Sequence, residues 1–248
     1  MEKIGNKEDL VSFRNRVNSG EDFKDTEIIL LANINNLEDW TPIGTMEHPF
    51  RGVFHGQNCT ISNISVHSDS VAGVFGCIEN GIVEYLHVEG GKIIGNKAGG
   101  ICGHIRFNGL IDHCTNSADV KGLGENAYAG GICGDSWGGT LRSCTNKGNI
   151  GNESSSVSAL TGGIAGASYQ GVIKECSNGG KLHPVGGHCG GVCASNNEGT
   201  ISECDSKCAP TSGRNMGGIC GWNNGKIERC TAVASDLPII GEGKPAIS

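Results

Sequence analysis

One two-part phrase, repeated along most of the chain, restricts the fold more than any other feature. It reads Ala98-Gly99-Gly100-Ile101-Cys102-Gly103, then a short polar loop, then Asn108-Gly109-Leu110-Ile111-Asp112-His113-Cys114-Thr115-Asn116. Copies follow at 129–134 with 139–146, 161–166 with 171–178, 189–194 with 199–206 and 216–221 with 225–232, and a degenerate one precedes them at 72–76 with 81–88. The Ile or Val of the first part falls at 74, 101, 132, 164, 192 and 219, in steps of 27, 31, 32, 28 and 27 residues. Constant phrases joined by loops of variable length mark stacked units, because core positions are held while turns are free to lengthen.

The 42 glycines among 248 residues keep register with Ile, Cys and Asn, which low-complexity linkers do not do. They read as punctuation for tight turns in one extended domain. A net charge of -7 with no basic run argues against nucleic acid or an anionic membrane surface as partner. No apolar window is long enough for a membrane-spanning helix, and Met1-Glu2-Lys3 is followed by no apolar signal core, so no membrane insertion is expected.

The 13 cysteines follow the repeat. Cys102, Cys133, Cys193 and Cys220 share one place, which Ala165 fills in the remaining copy, and Cys114, Cys144, Cys176, Cys204 and Cys230 share another. A place that accepts Cys or Ala wants a small apolar filler. Cys189 and Cys208 align with Ala, Thr, Gly or Met and read the same way. An odd total without paired spacing favours thiols over bridges, and hence a reducing compartment. His183, His188, Cys189, Cys193, Cys204 and Cys208 form a poor metal set, since three residues separate the close cysteines where zinc sites commonly have two. No metal and no other cofactor is expected. A Ser/His/Asp elbow, a phosphate-binding loop and a dinucleotide fingerprint are all missing in the required strand-turn-helix context.

Asn116, Asn146 and Asn178 fall in register, which predicts an asparagine ladder between successive coils. Beside them Thr115, Thr145 and Thr231 are interrupted by Ser177 and Asp205, so a flat threonine surface for ice is not expected. Before the repeats, Asn6-Lys7-Glu8-Asp9 resembles a capping box ahead of Leu10, Val11, Phe13 and Val17, predicting a short helix that ends near 18–20 and closes the open end of the stack. Strands are expected over 27–34 and 59–66. The expected organisation is a helical cap over 1–24, a solenoid over 25–232 and a tail or linker over 233–248, where Pro238 and Pro245 cannot donate to a sheet.

The segments Trp40-Thr41-Pro42-Ile43-Gly44, Phe50-Arg51-Gly52-Val53-Phe54-His55-Gly56, Thr60-Ile61-Ser62-Asn63-Ile64 and Ala72-Gly73-Val74-Phe75-Gly76 occur in an order that resembles bacterial GLUG-motif repeat proteins. Such repeats are found in adhesin-like surface chains and in regions of immunoglobulin A peptidases. The resemblance extends from Ile4 to about Ala232. It implies an all-β, right-handed parallel β-helix of about eight coils and a cell-surface or secreted setting, whereas the thiols favour the cytoplasm. It implies no catalytic activity, because the motif is structural. Acidic residues usual in that family are replaced here by Asn33, Asn35 and His55, which leaves any cation role of those acids without its ligands.

The loops between the two halves of the phrase carry the functional signal. Counting two residues back from Gly109, Gly139 and Gly171 gives Phe107, Trp137 and Tyr169, expected one above another beside Arg106, Asp135 and Gln170, with Trp222 in a later loop. Stacked rings with polar neighbours make a platform for sugar. The plainer reading is that the rings only close the turns. Glu175 and Glu203 occupy one place in successive coils, the spacing of a retaining glycosidase. The mixed column of His113, Ser143 and Arg229, and an expected Asp112 to Arg142 pair, read instead as a solvated sheet. The expectation is a non-catalytic binding or display module for a glycan or a surface protein. A carbohydrate-active enzyme using Glu175 and Glu203, and an intracellular scaffold that self-associates through the C-terminal end of the solenoid, are the alternatives.

Overall fold

Short runs that alternate apolar and polar residues can only be strands with one face buried, and here each run finds its partner one coil away. In a computed structural model, which describes residues 1–233 and 237–245, the chain winds as a parallel β-solenoid of about eight turns. Three parallel sheets of nine, fifteen and seven strands form its walls. Strand-to-strand spacing sets the rise at roughly 4.8 Å per coil.

Register is held by vertical files. Ile28, Phe54, Val83, Ile111, Leu141, Ile173, Ile201 and Ile227 pair in sequence along the first sheet, and all are buried. Ile101, Ile132, Ile164, Val192 and Ile219 form a second interior file, joined by bonds such as Ile132 N–H to Ile164 O at 2.9 Å. The cysteines fill as anticipated: Cys102, Cys133, Ala165, Cys193 and Cys220 pair in turn, and every cysteine is a free thiol.

The asparagine ladder is present and buried. Asn116 donates to Asn146 and Asn146 to Asn178, while each amide also closes its own turn, as Asn146 does by donating to Gly148 O and accepting from Gly148 N–H. Room for the ladder comes from glycine: a Cβ on Gly131 would fall 2.3 Å from Asn146 Cγ, and one on Gly163 would fall 2.4 Å from Asn178 Cγ. A second, unforeseen step joins Asn196 to Asn223 at 2.8 Å.

The helix runs from Lys7 to Asn18, with Asn6 accepting from Asp9 N–H as N-cap. It buries Leu10, Phe13 and Val17, and Phe13 meets Phe23 at 5.0 Å and Phe50 at 5.9 Å, so it covers the first coil as expected of a lid. The strand system is wider than 25–232. Glu2–Ile4 pairs with Ile28, Ile29 and Leu30 ahead of the helix, and Ile240–Gly243 pairs with the strand of Cys220 and Trp222 inside the expected tail. Pro238 does not prevent this, because its carbonyl accepts from Gly218 N–H. Residues 234–236 and 246–248 of that tail lie outside the described residues.

Candidate ligand-binding face

Strands Phe75–Glu79, Cys102–Arg106, Cys133–Trp137, Ala165–Tyr169 and Cys193–Asn197 stack in register, which sets Glu79, Arg106, Trp137, Tyr169 and Asn197 in one outer file. The Trp137 and Tyr169 rings meet at 5.4 Å between centroids, tilted by 45°. Trp137 is 56% exposed, so this contact leaves most of the indole open.

Phe107 does not belong to that file. Its loop holds one residue more, Asn108, so counting back from the closing glycine slips by one, whereas counting forward from Gly103, Gly134 and Gly166 gives Arg106, Trp137 and Tyr169. Phe107 instead lies beside Gly138, in the turn position that Asn80, Gln170 and Glu198 also occupy with positive φ. It remains 58% exposed, with the Arg106 guanidinium 5.8 Å from its ring. Gln170 pairs with Glu198 at 2.8 Å and so is engaged along its own file.

Trp222 occupies a different file, with Asp135, Ala167 and Ser195, and pairs with Glu242 of the last strand. Two coils separate it from the level of Tyr169. Asp135 is no contact residue either, because its side chain is buried. It holds Lys97 Nζ at 2.7 Å, and His104 Nδ1 lies 3.2 Å away at an angle too poor for a hydrogen bond. Burial would push its carboxyl up, but the adjoining His104 and Lys97 outweigh that and keep it below the usual carboxylate range. Asp135 and Lys97 thus brace the face from beneath.

Glu175 and Glu203 share a file with Tyr85, His113, Ser143 and Arg229, all at positive φ. Lys174 Nζ sits 3.1 Å from Glu175 and 3.8 Å from Glu203, Ser143 donates to Glu175, and Arg229 holds Glu203. The bonds from Lys174 and Ser143 hold the Glu175 carboxyl below its ordinary value, the opposite of what a general acid requires. One file over, Arg142 Nε donates to Asp112 at 3.0 Å, the cross-coil pair the sequence predicts.

The residues of the poor metal set are spread over the coil. His183 is on the outer side of strand Leu182–Pro184, Cys189 pairs with Thr161, Cys193 with Ala165, and the Cys204 thiol points to Ile173 O one coil away. Among the described residues no three His, Cys, Asp or Glu side chains converge as a metal site would need. His55 pairs with Glu84 at 2.7 Å.

Sequence reasoning missed the polar end of the face. Glu79 accepts from Arg51 Nε at 2.8 Å and from Arg106 Nε at 2.6 Å, across coil steps of 28 and 27 residues that match the repeat. Lys97, with its ammonium 5.9 Å from the Tyr128 ring, was legible only through the pairing of Lys97 with Tyr128.

No family model matches the chain, and no curated protein matches it. Among solved structures, a Bacteroides ovatus protein described as a "putative immunoglobulin A1 protease" aligns with a TM-score of 0.79 and 20% identity, over 98% of this chain and 84% of that one. At that identity the likeness establishes the fold, a parallel β-solenoid with its helix at the N-terminal end, and nothing about activity.

Proposed function

We propose that the chain is a non-catalytic binding module, displayed on or secreted from a bacterial cell, that takes a glycan on the face around Trp137 and Tyr169. The observation that supports this reading is the pair of rings, Trp137 exposed and Tyr169 half-buried, standing directly in line with Arg106 on a rigid ladder. Aromatic rings in contact on a regular sheet give a sugar an apolar platform whose geometry is fixed before binding, so little ordering entropy is lost. The resemblance to repeat regions of surface proteins supports the setting.

The test is a glycan array followed by calorimetry on the hits. Trp137→Ala and Tyr169→Ala are expected to weaken binding at least tenfold each while leaving the circular dichroism spectrum unchanged. An array without hits, or hits indifferent to both changes, would remove the face from consideration.

A further inference from the structure

We propose that the sugar bound on this face carries a carboxylate, received by Arg106 together with Arg51 at the end of the aromatic file. The inference rests on the binding reading above and supplies its ligand class. Glu79 is nearly buried and serves both guanidinium groups: Arg51 through Nε and Nη2, at 2.8 and 2.7 Å, and Arg106 through Nε at 2.6 Å. Arg106 also donates from Nη2 to Met46 O at 3.2 Å, which fixes the plane of its fork. Each guanidinium has five N–H groups, so both retain donors, on side chains 35% and 23% exposed.

Charge counting points the same way. Arg51 and Arg106 share the single carboxylate of Glu79, two fixed cations against one at this end of the file, while Lys97 is matched by Asp135 beneath it. That surplus stands out on a chain whose net charge is -7. A carboxylate offered to a guanidinium already oriented by Glu79 and Met46 finds directional donors at little cost in side-chain freedom.

Phe107 supplies an independent indication. In the corresponding turns the positive-φ position is held by Asn80, Gly138, Gln170 and Glu198, small or polar residues suited to a turn. Here a phenyl ring takes that position at φ 57°, 58% exposed, against the flank of Arg106. The left-handed turn recurs in the neighbouring coils, so the exposed phenyl is the departure, and an uncovered ring beside a guanidinium offers a sugar apolar area to bury. Gly138, one coil on, lies over the Phe107 backbone, where a Cβ would meet the Phe107 carbonyl oxygen at 3.1 Å.

The experiment uses oligosaccharides bearing uronic or sialic acid, each paired with its carboxyl-reduced form, titrated into the full chain by calorimetry. The acid form is expected to bind at least tenfold more tightly than the reduced form, with the gap narrowing as salt is raised. Arg106→Gln is expected to close most of the gap between the two forms; Glu79 stays held by Arg51, and a thermal melt checks the fold. Equal affinity of the two forms for the unmodified chain overturns this inference and leaves the glycan reading standing. Absence of binding by either form, or binding confined to protein partners, overturns both.

Discussion

The side-chain amide of Asn116 donates to the carbonyl oxygen of Asn146 at 3.0 Å, and Asn146 passes the same bond to Asn178 at 2.9 Å. All three groups are sealed from water, so each must satisfy its donors and acceptors within the protein. Asn146→Ala removes both ladder bonds and leaves Gly148 N–H and C=O unpartnered. A loss of about 3 kcal/mol is expected, read as a fall in the thermal midpoint. Asn146→Asp keeps the acceptor and replaces the donor by a buried charge. It is expected to be worse near neutral pH and to recover in part on acidification, when the carboxyl takes up a proton.

Glycines of the coils separate into those that need their hydrogen and those that do not. A Cβ on Gly131 would come within 2.2 Å of Gly163 O and 2.3 Å of Asn146 Cγ, whereas one on Gly151 would approach nothing closer than 3.4 Å. Gly131→Ala is expected to give little folded protein. Gly151→Ala is expected to be neutral or to gain up to about 1 kcal/mol, since alanine restricts the unfolded chain. Expression yield and urea midpoints of the two variants decide the matter, and equal behaviour would contradict the close approach.

Burial pushes the interior thiols up: Cys77 and Cys114 each to about 12, with Cys102, Cys176 and Cys193 also raised. For a raised acid the sign is fixed. Its contribution to stability is complete below the ordinary thiol value and is lost as pH climbs past it, because the unfolded chain ionises first. Each such thiol is expected to remove up to about 1.4 kcal/mol per pH unit in that window. Stability measured from pH 8 to 11 should therefore fall steeply, and Cys114→Ala should flatten the slope. A profile unaltered by the substitution would show that lysine and tyrosine dominate instead.

Binding and folding are separable on this molecule. Trp137 is more than half exposed, with ring neighbours in Tyr169 and His104, so Trp137→Ala is expected to move the thermal midpoint by no more than a degree or two while removing ligand affinity. Ile132→Ala, in the interior file, is expected to cost about 2–5 kcal/mol. Differential scanning fluorimetry of the two variants side by side tests the contrast.

Most of the architecture was legible because a coil repeats its inward residues at nearly constant intervals. The Ile and Cys files, the asparagine ladder and the capping helix each leave a periodic or capping signal. The ends were less readable: Glu2–Ile4 and Ile240–Gly243 join the sheets through single pairings that have no copy elsewhere in the chain. In the loops, one extra residue at Asn108 displaced Phe107 by a register step and hid the alignment of Arg106 with Trp137. Side-chain burial was hidden too. Asp135, which reads as a surface acid, is buried beside Lys97 and His104 because the strand carrying Lys97 and Ala98 lies against Gly134, and no spacing in the sequence reports that closeness.

The vertical pairing of like residues makes length a free variable. Duplicating one unit, such as 129–160, would insert a rung whose Asn146 and Ile132 meet the same residue types they left. The rod would lengthen by about 4.8 Å and its outer face would acquire another indole. Copying DNA in whole periods can therefore extend such a surface while its interior files stay continuous.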